Sequence, residues 1–130
     1  MTLGRAMNNA ASGMAAERLR MDVTSANIAN ANSMRTRDAE AFQRRIVVLT
    51  GSPETGVKVE RIEVDRTPGR VVHDPSNPNA DAEGNIFFSN VNPIMEMVNM
   101  MTANRSYEAN IAAFNSAKSM AKSALNIGKV

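Results

Sequence analysis

Both ends of this 130-residue chain are long stretches without helix breakers, and each carries two apolar stripes where a helix packed on one core needs only one. Residues 3–31 hold no proline and no β-branched run, and only Gly4 and Gly13 weaken a helical reading. At about 100° per residue, Leu3, Met7, Ala10, Met14, Met21 and Ile28 fall in one sector of a helix. Ala15, Leu19, Val23 and Ala26, continued by Ser12 and Asn30, fall in a second sector roughly opposite. The other end repeats the theme. Asn92 is a good N-cap, Pro93 suits the first helical position, Ile94 to Ile127 contains neither proline nor glycine, and Gly128 is a stop. One stripe there runs Met97, Met100, Asn104, Tyr107, Ile111, Phe114, Lys118, Ala121, Leu125, in threes and fours like a heptad seam. A second contains Ile94, Val98, Met101, Ala109, Ala112, Ser116 and Met120. The two helices would be about 40 Å and 50 Å long, rods and not the short helices of a small globule. Two stripes on each require two sets of partners.

Composition points the same way. Apolar residues make up 43% of the chain, but nineteen of them are alanine and ten are methionine, which packs adaptably and specifies shape weakly. Ordering costs roughly 1–2 kcal/mol of backbone entropy per residue, so so lean a core is a poor match for a self-sufficient domain. The expectation is a subunit whose terminal segments become ordered only among neighbours. A net charge of +2 is too balanced to imply a polyanion partner. Absence of cysteine removes disulfides, thiol nucleophiles and cysteine metal sites. No apolar run is long enough to span a membrane, and residues 1–30 lack the apolar core of a secretory signal.

The middle, about 42–91, is β-rich. Phe42 to Thr50 ends in Ile46-Val47-Val48-Leu49, a buried-strand pattern. Val57 and Val59 alternate with charged residues and then shift phase to Ile62 and Val64, which predicts a bulge near Glu60–Arg61. Pro68-Gly69 makes a turn before Arg70-Val71-Val72-His73, Asp74 to Gly84 is a loop, and Ile86-Phe87-Phe88 is a last strand. The fold class is therefore mainly α: two long antiparallel, coiled-coil-like terminal helices with a small β-rich insert. The divisions are 1–33, 34–91 and 92–130, one structural domain completed by neighbouring subunits.

Chemical candidates are few. His73, Asp74, Asp81 and Glu83 offer an acid–base set, but a general base needs an orienting partner and a pocket, and a solvated turn is the better reading. Asn79 to Gly84 imitates the first half of a calcium loop, yet Asn90 stands where the closing bidentate glutamate belongs. Arg35, Arg37, Arg44 and Arg45 cluster after the first helix, but Asp38 and Glu40 interrupt them and only Phe42 is at hand for stacking. A solvated loop or a salt-bridging face toward another subunit fits them better than nucleic acid. No catalytic residue, cofactor or metal ligand is assigned.

The first helix closes in Ser25-Ala26-Asn27-Ile28-Ala29-Asn30-Ala31-Asn32-Ser33. This resembles the S-x-N-L-A-N-A-x-T signature of the axial protein family of the bacterial flagellum. Val91-Asn92-Pro93-Ile94-Met95-Glu96-Met97-Val98-Asn99-Met100 and Arg105-Ser106-Tyr107-Glu108-Ala109-Asn110 resemble the basal-body rod proteins of that family, the rod protein C branch in particular. The Asp-Pro…Asn-Pro…Ala-Asp-Ala-x-Gly loop does too, so the likeness spans nearly the whole chain.

The resemblance implies a structural subunit of the proximal rod, exported through the flagellar type III apparatus without a cleaved signal. Implied partners are copies of itself, other proximal rod proteins, and the base ring or export gate, with no nucleic acid and no membrane insertion. The contact set expected between subunits is Met7, Met14, Leu19, Met21, Val23, Ala26, Asn27, Ile28 and Asn30 on the first helix. On the second it is Met97, Met100, Met101, Asn104, Tyr107, Asn110, Ile111, Phe114 and Leu125. Asn27, Asn30, Asn104 and Asn110 are expected to set register, since a seam amide must find a partner. The competing classes are a cytosolic helical adaptor or chaperone, which predicts a discrete folded oligomer, and an enzyme centred on His73, Asp81 and Glu83, which replacement of those residues would silence.

Overall fold

In the computed structural model, which describes residues 2–129, the Thr2 hydroxyl accepts the Arg5 N–H (3.1 Å) and caps helix α1 (Leu3–Ala29). Helix α2 (Pro93–Ile127) is capped by Asn92, whose side-chain oxygen accepts the N–H groups of Ile94 (3.1 Å) and Met95 (3.4 Å), and it stops at Gly128. The two helices run antiparallel. Asn27 meets Glu96 and Gly13 meets Asn110, and these two contacts are equally spaced along both helices. The same register sets Leu3 opposite Met120, so the last two turns of α2 project beyond the start of α1.

The seam is built from small residues. Ala10, Gly13 and Ala16 are buried on α1, and Ala103 and Ala117 on α2. On α2 the seam repeats by sevens as Glu96, Ala103, Asn110 and Ala117. The heptad stripe expected from Met97 to Leu125 is therefore not the centre of the pairing. Met100, Tyr107 and Phe114 flank it, half-buried. Alanine and glycine let the backbones approach until bulky side chains no longer fit between them, which moves the large apolar residues to the rim.

Between the helices, β1 (Arg45–Ser52) and β2 (Gly56–Val64) form an antiparallel hairpin. Val48 pairs with Arg61 and Leu49 with Val59, so Glu60 is the extra residue of a bulge, at the predicted phase shift. The hairpin lies along α1. Asn9 Nδ2 donates to the Pro53 carbonyl (2.9 Å), and the Val57 N–H donates to Ser12 Oγ (2.9 Å). Gly56 turns the chain at φ 74, and a Cβ there would meet Ser12 Oγ at 2.4 Å, so this docking requires glycine. Leu19 and Val23, on this same face of α1, are half-buried. One of the two partner sets that α1 needs is thus supplied from within the chain.

The second sheet pairs β3 (Val71–His73) with β4 (Asn85–Phe87), extended by a bridge from Met34 to Phe88. Gly69 enters it under compression, because a Cβ would lie 2.1 Å from the Phe88 carbonyl oxygen. Gly69→Ala is expected to force the two strands apart at a cost of about 1–3 kcal/mol. The check is amide exchange at Phe88, whose N–H donates to Arg70 (2.8 Å): protection there falls while that of β1 and β2 is unchanged. The Asp74–Gly84 loop is held by Asx turns, with Asp74 Oδ1 accepting from Ser76 and Asp81 Oδ1 from the Glu83 and Asn85 N–H groups.

Candidate subunit interface

A buried polar node fixes how the elements meet. Asn27 is 1% exposed, and its amide copies a strand's edge: Nδ2 donates to the Arg45 carbonyl (2.9 Å) and Oδ1 accepts the Arg45 N–H (3.0 Å). The same Nδ2 donates to Glu96 Oε2 (3.1 Å), and Arg44 Nε donates to Glu96 Oε1. Glu96 is 2% exposed, so α1, α2 and the start of β1 converge on one carboxylate. Asn90 completes the node, accepting the Arg44 N–H (2.7 Å) and donating to the carbonyls of Asp65 (2.9 Å) and Thr67 (3.0 Å). Among the described residues no buried side-chain nitrogen or oxygen lacks a partner.

Arg44 also lies 3.6 Å from Asp65. Hydrogen bonds from the Thr67 backbone N–H and hydroxyl, aided by the Arg44 charge, hold the Asp65 carboxyl below its ordinary pKa. The stability it adds is complete above the ordinary carboxylate value and is lost as pH falls through the lowered one. The expectation of Arg44 as a solvated or intersubunit cation is thus corrected: its guanidinium is spent inside the chain, because only there do two carboxylates flank it.

The anticipated contact residues sort into four places. Asn27 lies inside the node and Asn110 in the seam, where its Nδ2 donates to the Ser106 carbonyl (3.0 Å) and its amide fills the space a Gly13 side chain would need. Both asparagines lie between the chain's own helices, and Asn27 bridges the two through Glu96. Met7, Met14, Met21 and Ile28 on α1, with Met100, Tyr107 and Phe114 on α2, are half-buried along the rim of the seam, away from the hairpin. Leu19 and Val23 lie toward the hairpin. Ala26, Asn30, Met97, Met101, Asn104, Ile111 and Leu125 are exposed. The Asn30 amide caps its own helix at the Ala26 carbonyl (2.8 Å), and Asn104 reaches only toward Glu108 (3.5 Å).

Sequence reasoning missed Glu96, Asn90 and Gly13. The repeat by sevens from Glu96 through Ala103 and Asn110 to Ala117 was the signal available for the first. His73, the catalytic temptation, is exposed, with Nδ1 3.4 Å from Asn85 Oδ1, and its neighbours Asp74 and Asp81 serve turns.

An antiparallel helix pair with large uncovered apolar faces, pinned by an internal polar node to a small β insert, is the architecture of a structural subunit that packs against others. Its relatives make the class specific. Residues 7–33, within and just beyond α1, match the model described as "Flagella basal body rod protein". Residues 82–127, covering β4 and α2, match "Flagellar basal body rod FlgEFG protein C-terminal". The chain is 37% identical over 150 residues to the flagellar basal-body rod protein FlgC of Bacillus subtilis, covering 99% of this chain and 100% of that one. It is 37% identical over 134 residues to that of Salmonella typhimurium, with the same coverage, and 39% identical over 123 residues to that of Aquifex aeolicus, covering 91% of each. The chain belongs to the flagellar basal-body rod protein FlgC family. It is a structural subunit of the proximal rod, placed in the flagellar basal body with the other rod components.

Proposed function

We propose that the subunit polymerises through its terminal helices into the tube that carries torque from the motor outward, and that it performs no catalysis. One observation carries this reading: the face of α2 turned away from α1 is apolar and open, with Ile94 73%, Val98 50% and Met101 58% exposed. A solitary protein gains nothing from such a face, whereas a neighbour's helix laid on it buries all three residues. The half-buried methionine rim supplies adaptable contact area where one chain meets non-identical neighbours. Those neighbours are copies of itself, other proximal rod proteins and, at the base, the ring or export gate. The chain works as one domain, helix 1–33, insert 34–91 and helix 92–130, completed by adjoining subunits. It travels to the periplasmic space unfolded through the type III route, a passage that a small-residue seam without disulfides favours.

Amide exchange tests the reading. In the purified chain, exchange over 1–31 and 94–127 is expected to be rapid and helicity low, and both segments become strongly protected in isolated basal bodies. A solitary monomer with a sharp thermal transition and equally protected helices overturns it.

A further inference from the structure

Among the described residues, several arginines of the insert form no ion pair. Arg35 stacks over the Phe87 ring (4.0 Å), Arg70 over Phe88 (4.4 Å) and Arg45 over Phe42 (5.8 Å). Arg66 lines the same shallow groove of about 220 Å³ as Arg35, Phe42, Phe87 and Phe88. Among the described residues none of these four arginines forms an ion pair, although Glu40 also lines the groove. Stacking fixes the plane of a guanidinium and leaves its N–H edge free, a geometry suited to a carboxylate. The groove asks for an acidic occupant.

The chain contains one. From Val71 to Asn104 there is no lysine or arginine, and the Asp74–Gly84 loop holds Asp74, Asp81 and Glu83. The turn bonds of Asp74 and Asp81 run to Oδ1, both side chains are half-exposed, and Glu83 is exposed. The loop follows the His73–Asn85 end of the β3–β4 ladder, whereas Arg70 and Phe88 stand at the opposite end. Two complementary patches at opposite ends of one ladder fit a neighbour better than they fit each other. We propose that the acidic Asp74–Gly84 loop of one copy docks in the arginine–phenylalanine groove of the next copy. The contact is heterologous, so it repeats head to tail around a ring or helix and does not close as a two-fold dimer. The proposal rests on the rod reading above, because it requires copies of this chain side by side.

The absence of cysteine makes the test direct. In a flagellated strain lacking its own copy, the chain carrying Arg66→Cys, in the groove, and Glu83→Cys is expected to give a ladder of cross-linked dimers and higher species in oxidised basal bodies. Either single cysteine leaves monomers. Arg66→Glu and Glu83→Arg are each expected to reduce swimming and the amount of subunit in basal bodies, and the double charge reversal restores both. Normal swimming by both reversals without a cross-linked ladder overturns the docking. So does impairment that the double reversal fails to rescue. An immunoblot of basal bodies for the unmodified chain separates these results from failure of the rod reading, since its absence there would remove the rod reading itself.

Discussion

Val98→Asp combined with Met101→Asp is expected to abolish incorporation into basal bodies and swimming, while the chain is still made and exported. In the subunit both side chains face solvent, 50% and 58% exposed, so two carboxylates there cost its own fold almost nothing. Laid against a neighbouring helix, each becomes an unpaired buried charge, costing several kcal/mol and more than a hundredfold in association for the pair. The measurements are an immunoblot of purified basal bodies and expansion rate in soft agar. His73→Ala, an exposed change outside the helices, is the tolerated control. Leu19→Asp is also expected to fail, but for a different reason: Leu19 lies on the face of α1 that carries the hairpin, so that variant breaks a contact within the subunit and not one with a neighbour. Wild-type swimming by the Val98/Met101 double variant would mean that the outer face of α2 meets no neighbour.

Glu96→Ala should have the largest effect within the subunit. The carboxylate joins Arg44, on the approach to β1, to Asn27 on α1, and its removal takes away the acceptor that both the guanidinium and the amide use. Breaking a buried ion pair from one side costs about 3–5 kcal/mol; Arg44 keeps partial access to water and a second carboxylate in Asp65, which places the loss near the lower figure. It is read as a fall in the temperature at which purified basal bodies release the subunit. Arg44→Met with Glu96→Met removes both charges together and is expected to recover much of the loss, as in a double-mutant cycle. A single variant as heat-resistant as the parent would show that the node does not hold the three elements together.

The elements themselves were legible. Asn92-Pro93 and Gly128 bracket α2, and the phase shift at Glu60 marks the bulge, because caps, prolines and alternation act locally. The pairing surface was not. Hydrophobic periodicity weights bulky residues, whereas this seam is alanine and glycine, whose contribution is the closeness they allow. Glu96 reads as a solvent-facing charge in any local window, and only the arrival of Arg44 and Asn27, from segments 52 and 69 positions away, makes it internal. Asn27 and Asn110 were marked as amides that must find partners; Asn27 finds Arg45 and Glu96, Asn110 the Ser106 carbonyl of its own helix, and sequence alone does not say whether a partner belongs to the same molecule. The exposed stripe Ile94, Val98, Met101 was legible as a stripe, and its freedom became visible only once the opposite face was seen to be taken.

Helix α2 outreaches α1, so the subunit does not end in a flat cut. In the column proposed above, the breaks in one layer of helices would fall beside unbroken stretches of the other, as planks are staggered in a lap joint. No single plane of weak contact would then cross the shaft, and a twist applied at one end would be handed past every break by a piece that spans it.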